Sequence, residues 1–279
     1  MSSTKQNYGQ YLKPMEKISF GVTRYLNSSP AARRLLTLLC AEIGRRWIEL
    51  CISRTVRDHG FENFEKIDPN RGLLLVANHR SFYDQFAIAA RLYKIFGRHH
   101  NIYFPIRANF FYDSPLGLLV NLLMAFFVMY PPIVRDTRRR QWNEYATDIM
   151  VTLLKHPDNM VGFHPEGTRN QGSDPYALLA AKPGCGELIY RANPNVLPVF
   201  LQGFPNSVVD LFKSNHDRSQ NWQPLVHMVM GEPMDLSAQL KLERSRKTYL
   251  KISRKVMARI GELAEQECDI RHRLENRPA

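Results

Sequence analysis

Six short apolar runs, separated by stretches with a helical repeat, decide what this chain can fold into. They occupy 72–77, 101–106, 126–134, 160–163, 196–201 and 225–230. The first, GLLLVA, contains no polar residue. It therefore reads as a strand covered on both faces, not one with a solvated side. Helical stretches lie between several of the runs, at 82–96, 142–155 and 186–193. Strands that alternate with helices predict an α/β fold with a largely parallel central sheet flanked by helices. Leu242, Tyr249, Val256 and Leu263 mark a long amphipathic helix near the C-terminal end.

The N-terminal fifth has a different texture. Residues 1–30 read as an irregular arm ending at Ser28-Ser29-Pro30. From 31 to about 56 the repeat is helical, with Leu36, Leu39, Ile43, Trp47 and Leu50 at three- and four-residue steps. Arg34, Arg45, Arg46 and Arg54 fall among or opposite them. Such a helix either lies in a membrane interface or packs on its own domain. The expected organisation is a basic arm and amphipathic helix over 1–57, preceding an α/β domain over 58–279. A chain of 279 residues is long enough for one large domain with a proper core.

Charge narrows the partners. The net charge is +12, and residues 1–57 hold ten Lys and Arg against three Asp and Glu. A second basic stretch, Arg138-Arg139-Arg140, follows the longest apolar run, 116–130, which only Asn121 interrupts. Basic segments beside greasy ones fit a membrane surface with anionic lipid better than nucleic acid, for which no motif is present. A solvated charged surface is the plainer reading of the same residues. The run at 116–130 is too short to span a bilayer, so the expectation is a soluble or peripheral protein. Phe110, Phe111, Leu118, Leu119, Leu122 and Leu123 could meet the membrane, although core is the expectation for most of them. The opening MSSTKQNYGQ lacks the apolar segment of a secretory signal. Cys40, Cys51, Cys185 and Cys268 are scattered, which predicts neither a disulfide framework nor a zinc site. His99-His100 has no obvious third ligand and H-E-x-x-H is absent, so no metal is expected.

Two segments carry candidate chemistry, each directly after a predicted buried strand. In open α/β sheets that is where ligands bind. The first is Asn78-His79-Arg80-Ser81-Phe82-Tyr83-Asp84. His79 with a carboxylate five residues on can form a His–Asp pair that fixes the imidazole tautomer and steadies the imidazolium. Ser81 and Asp84 also have the spacing of a helix capping box, which explains Asp84 without catalysis. The second segment is Phe163-His164-Pro165-Glu166-Gly167-Thr168-Arg169-Asn170. Its turn offers backbone N–H groups, a hydroxyl and a guanidinium, which suits a phosphate. An ordinary polar turn is the alternative. Arg135 closes another strand candidate, and Lys182 precedes a helix start, where amides and dipole favour anions. No G-x-S-x-G elbow supplies a nucleophile.

In combination these segments resemble the glycerolipid acyltransferase family, over roughly 60–231. The order is N-H-x-S-x-x-D, Arg135, P-E-G-T-R, K-x-G, then Val196-Leu197-Pro198-Val199. That family includes the glycerol-3-phosphate and 1-acylglycerol-3-phosphate acyltransferases. The resemblance implies that His79 is the catalytic base and Asp84 its partner. It implies that Arg135, Glu166, Gly167, Thr168, Arg169 and Lys182 bind the acceptor, and that Pro198 lies in the acyl-donor region. Arg138 is an alternative to Arg135, because the surrounding YPPIVR is an imperfect match to the family's block. His164 stands where the family commonly has an aromatic or aliphatic residue, and Asn170 where Ser is usual.

The implied reaction moves a fatty acyl group from acyl-CoA or acyl-carrier protein to a hydroxyl of 1-acylglycerol 3-phosphate or glycerol 3-phosphate. It is implied to run in a ternary complex, without cofactor, at the cytoplasmic face of a membrane by a peripheral or monotopic protein. Another lysophospholipid, an amino-acid lipid or a glycolipid is an alternative acceptor. A non-catalytic lipid-binding module is the alternative from a different class.

Overall fold

The structure is a computed structural model that describes residues 8–205, 207–217 and 226–275. Three helices, α1 (Pro14–Ser28), α2 (Pro30–Leu39) and α3 (Arg45–Ile52), precede β1 (Val56–His59) and β2 (Leu73–Ala77). Next come α4 (Asp84–Phe96), β3 (Asn101–Tyr103), β4 (Ile106–Arg107), α5 (Ala108–Phe111), α6 (Pro115–Ala125) and β5 (Pro132–Ile133). They are followed by α7 (Arg140–Leu154), β6 (Asn159–Phe163), α8 (Pro183–Ala192) and β7 (Asn195–Gln202). The last are α9 (Val208–His216), β8 (Val226–Met230), α10 (Ser237–Leu240) and α11 (Arg246–Glu275).

Five of the six apolar runs contribute strands to the main sheet. Its strand order is β1-β8-β7-β2-β6-β3, and every pairing is parallel except β7 with β8. All five residues of β2 and of β8 are buried, as strands covered on both faces must be. Leu225, the first residue of the sixth expected run, lies outside the described residues. Six of the helices form two packed groups. One is α7, α8 and α11, packed on one another and, through α7 and α11, on β6, β7 and β8; the other is α3, α4 and α9. α8 and α11 approach so closely that a Cβ on Gly186 would lie 1.9 Å from the Tyr249 carbonyl oxygen. No larger residue fits there.

Several sequence expectations need correction. Of the irregular arm expected over 1–30, residues 1–7 lie outside the described residues, and α1 makes most of the remainder a helix. Its apolar signal is weak because the buried positions are filled by Glu16, Ser19 and Thr23 beside Phe20. Glu16 earns its burial twice: it accepts the Lys13 N–H at 2.8 Å and ion-pairs with Arg139. In the next helical stretch the expected stripe splits. Leu36 is buried, but Ile43 and Leu50 are 54% and 57% exposed, while Cys40, Ala41 and Ile48 turn inward. A π-helical stretch at Cys40–Gly44 widens one turn and shifts the phase of everything after it.

The run at 126–134 is a strand only at Pro132–Ile133, since Phe126 and Phe127 take φ of 42° and 61°. The run at 101–106 breaks into β3 and β4, and β4 pairs with β5 as a separate two-stranded ribbon. β1, with sequence VRDH, offered no apolar run to find. In α5 and α6, Phe111 is buried as expected, but Phe110, Leu119, Leu122 and Leu123 are exposed. The helix instead buries its one polar residue, Asn121, whose carbonyl accepts the Phe127 N–H and closes the turn after it.

Arg33 fastens the N-terminal helices to the sheet. It is buried, and it donates to the Asn101 side chain at 3.1 Å, the Asn27 side chain at 2.8 Å and the Ile102 carbonyl. Its guanidinium also lies over the Tyr103 ring. α2 thereby covers the exposed edge at β3, which would otherwise present unpaired backbone groups.

Candidate active site

β2 and β6 are parallel neighbours with Val76 opposite Phe163, so their carboxyl ends deliver both sequence motifs to one place. Asn78 is fully buried and ties the end of β2 to β7. Its amide donates to the Leu201 carbonyl and accepts the Leu201 N–H, at 2.8 and 3.0 Å. His79 follows, with Nδ1 3.1 Å from Asp84 Oδ2. The same carboxylate oxygen accepts the N–H groups of Arg80 and Ser81, both at 2.8 Å.

Asp84 therefore faces back across the turn, and no side chain caps the N-terminus of α4. Only half of the expected capping box forms: Asp84 accepts the Ser81 N–H, but the Ser81 hydroxyl accepts the Tyr83 N–H and donates to the Pro205 carbonyl.

The electrostatics keep the His79 ring unprotonated. Burial, then the Arg169 and Arg107 guanidinium groups, hold His79 down at about 3, so it is neutral at neutral pH. Burial pushes Asp84 up to about 6, against the pull of the two N–H donors and the Arg169 charge. At pH 7 Asp84 is a carboxylate, and Nδ1–H of His79 donates to it. Nε2 is then the lone-pair nitrogen, on a ring that lines the pocket.

The second motif wraps around the first. Glu166 is buried, and its two oxygens accept the backbone N–H groups of His79 and Leu179, each at 2.8 Å. Burial raises Glu166, and those two N–H bonds oppose the rise. Asn170 N–H donates to the His79 carbonyl at 2.7 Å. His79 is thus held at both its N–H and its C=O by the P-E-G-T-R turn. Gly167 has φ of 69°, a conformation that costs glycine little and other residues more. The Asn170 side chain braces its own loop, donating to the Ala177 carbonyl and accepting the Gly172 N–H. Arg80 adds two more braces, to the carbonyls of Gly172 and Asp174.

Beside His79 lies a pocket of about 370 Å³. Arg107, Arg135 and Arg169 all line it, and none of its lining residues is acidic. Its apolar walls include Phe82, Ile106, Phe110, Ile133 and Phe163. Arg169 is set over the Phe82 ring, with the guanidinium carbon 4.1 Å from its centre. Arg107 donates to the Thr168 hydroxyl at 2.8 Å. Burial lowers the pKa of Arg107, and the charges of Arg135 and Arg169 lower it further, which marks a concentrated positive field. Among the described residues no group of three or more His, Cys, Asp or Glu side chains is placed to hold a metal ion.

The sequence candidates therefore divide. His79, Arg135, Gly167, Thr168 and Arg169 line the pocket, and Asp84 stands behind His79. Glu166 accepts backbone N–H groups at both oxygens and is not among the residues that line the pocket. Lys182 caps α8 outside the pocket lining, with its N–H on the Pro165 carbonyl. Pro198 is buried in the middle of β7, paired with Val76. Of the two alternatives, Arg135 lines the pocket, whereas the Arg138 side chain is 88% exposed and ion-paired with Asp136. Arg107 escaped the sequence reading. Its signal was the one that found Arg135, a basic residue directly after an apolar run.

Comparison with known proteins bears on this geometry. A family model described as Acyltransferase matches residues 55–202. Among solved structures, the chain is similar to the 1-acyl-sn-glycerophosphate acyltransferase of Thermotoga maritima. The TM-score is 0.52 at 19% identity, over 94% of this chain and 89% of that one. That likeness speaks for a shared fold. No curated protein matches this chain.

Proposed function

The chain belongs to the acyltransferase family, and from that premise we propose that it acylates a hydroxyl of a glycerol-phosphate acceptor, 1-acylglycerol 3-phosphate first among them. The observation that carries this reading is the convergence of Arg107, Arg135 and Arg169 on the pocket that His79 lines. Three guanidinium groups with no carboxylate among the lining residues suit a phosphate dianion, which arginine binds bidentately. A phosphate held there fixes the acceptor hydroxyl near the base, which is an orientation effect.

In the proposed reaction Nε2 of His79 takes the hydroxyl proton as the oxygen attacks the thioester carbonyl. The new C–O bond forms, the carbonyl carbon becomes tetrahedral, and its collapse breaks the C–S bond. The proton then passes from Nε2 to the departing sulfur, which leaves as the thiol. Asp84 steadies the imidazolium in between. The donor is acyl-CoA or acyl-carrier protein, and no cofactor enters the scheme.

The acceptor and product are lipids, so we place the pocket beside a membrane with anionic headgroups. α1 touches both α2 and α6, and each leaves large apolar side chains uncovered, among them Ile18, Tyr25, Leu35, Leu116 and Leu123. Lys17, Arg24 and Arg34 are exposed on the same helices. Apolar and basic side chains together favour an interfacial position. Among the described residues no helix is long and apolar enough to cross a membrane.

The test is thiol release from long-chain acyl-CoA by the purified protein in detergent. Acceptors are 1-acylglycerol 3-phosphate, glycerol 3-phosphate and lysophosphatidylcholine, and acyl-carrier protein replaces CoA in a second series. Release is expected only with an acceptor whose phosphate is a free monoester. Release without any acceptor would point to a thioesterase and overturn the proposal. Preference for lysophosphatidylcholine would keep the acyl transfer but remove the role given to the three arginines.

A further inference from the structure

The P-E-G-T-R turn brings a second imidazole against the first. His164 stacks on His79 with ring centroids 4.0 Å apart and planes within 9° of parallel. His164 is itself held in place, since its Nδ1 lies 3.0 Å from the Ala77 carbonyl oxygen, to which it can only donate. That hydrogen bond anchors the ring to the end of β2, the strand from which His79 emerges. Burial first, then the neighbouring His79, hold His164 down at about 3, so it is a neutral ring at neutral pH. One face of the catalytic imidazole is therefore covered by an uncharged aromatic plane.

We propose that His164 is a positioning residue for the acyl transfer: its ring is the platform that sets the plane of His79 and faces the positive charge His79 acquires with the acceptor's proton. The inference rests on the reaction proposed above. A flat imidazole has one free torsion about its Cβ–Cγ bond, and the Asp84 contact at Nδ1 alone leaves the ring able to tip about that contact. A plane stacked at 4.0 Å removes the tipping. When His79 becomes an imidazolium, the same plane presents π density to a cation, an arrangement that favours the charged state. His164 donates its only ring proton away from His79, to Ala77, and so brings no competing charge. An aliphatic side chain would fill the space without supplying the π face.

Two substitutions separate this role from simple packing. His164→Phe keeps a flat aromatic plane and gives up the Ala77 hydrogen bond. His164→Leu fills a similar volume with no plane. On the proposal His164→Phe retains kcat within about threefold, while His164→Leu loses about tenfold, the range expected for a desolvated cation–π contact. Because His164 also lines the pocket, the two variants are compared with each other: their KM values agree within about threefold, and both melt within a few degrees of each other. Equal kcat in Phe and Leu variants would overturn the proposal, as would a loss in the Leu variant that appears in KM. The unsubstituted protein in the same assay keeps the two readings apart. If it transfers no acyl group, the reaction itself is wrong and this role falls with it. If it does, the Phe and Leu rates judge His164 alone.

Discussion

The wall of the pocket that carries His79 and the wall that carries Arg107 and Arg135 are held in unlike ways. His79 sits at the end of a fully buried strand, gripped at its N–H by Glu166, at its C=O by Asn170 and at Nδ1 by Asp84. Arg107 and Arg135 stand on or beside a ribbon of two two-residue strands outside the main sheet. That ribbon is tied by the Ile106 N–H to the Pro131 carbonyl and by the Asn143 side chain to both backbone groups of Val134. The difference teaches a division of labour. On the proposed reading the proton-moving group is embedded in the core sheet with Arg169 on the turn beside it, and the other two anion-holding groups, Arg107 and Arg135, are mounted on an appendage that meets that turn at Thr168.

Breaking the two walls separately should give separate kinetic signatures. His79→Ala is expected to lower kcat by about 10²–10⁴-fold, with acceptor KM within about twofold, read by thiol release. A comparable fall in acceptor affinity instead would deny the division. Arg135→Ala is expected to raise the acceptor KM by about 10–100-fold, the equivalent of losing one charge-assisted bond of roughly 1.5–3 kcal/mol. Its kcat at saturation should hold within a few-fold.

The pH profile sharpens the first wall. His79, lowered to about 3, stays neutral across the working range, whereas Asp84, raised to about 6, gains a proton as the pH falls. A protonated Asp84 no longer accepts the Nδ1–H as a carboxylate, so log kcat/KM should fall with unit slope below about pH 6. A profile still flat at pH 5 would mean that Asp84 is not the group that matters.

Smaller effects test the joint. Glu166→Gln leaves one backbone N–H facing an amide N–H, which should cost a few degrees of melting temperature and about three- to tenfold in kcat. Acceptor KM should not move, because Glu166 touches backbone and no ligand. Arg138→Ala should leave both constants within about twofold. A clear KM effect there would return the acceptor role to the alternative arginine.

The same two walls explain what the sequence made legible. The core wall was readable because burial on both faces demands unbroken apolar runs, and GLLLVA and the run ending at Phe163 end where His79 and Glu166 begin. The appendage was harder. Two-residue strands are too short to show a repeat, so 101–106 and 126–134 each looked like one strand, and Arg107 passed unnoticed. The resemblance implies that Glu166 binds the acceptor, and the sequence could not show that its carboxylate turns to the backbone N–H groups of His79 and Leu179. In the N-terminal helices the π-helical turn defeated a periodicity argument that assumes a constant 3.6 residues per turn. β1 has four residues with a single fully apolar one and is made a strand by its partner β8 alone.

The ribbon of β4 and β5 has a consequence for anyone who wishes to redirect this protein. Because it borrows only a hydroxyl from the catalytic turn, through Arg107 and Thr168, it behaves as a cassette. A library of variants confined to the ribbon residues that line the pocket, Ile106, Arg107, Ile133 and Arg135, would search acceptor preference while leaving the residues at the end of β2 in place. Selection could then proceed one trait at a time, with turnover as the constant and substrate choice as the variable.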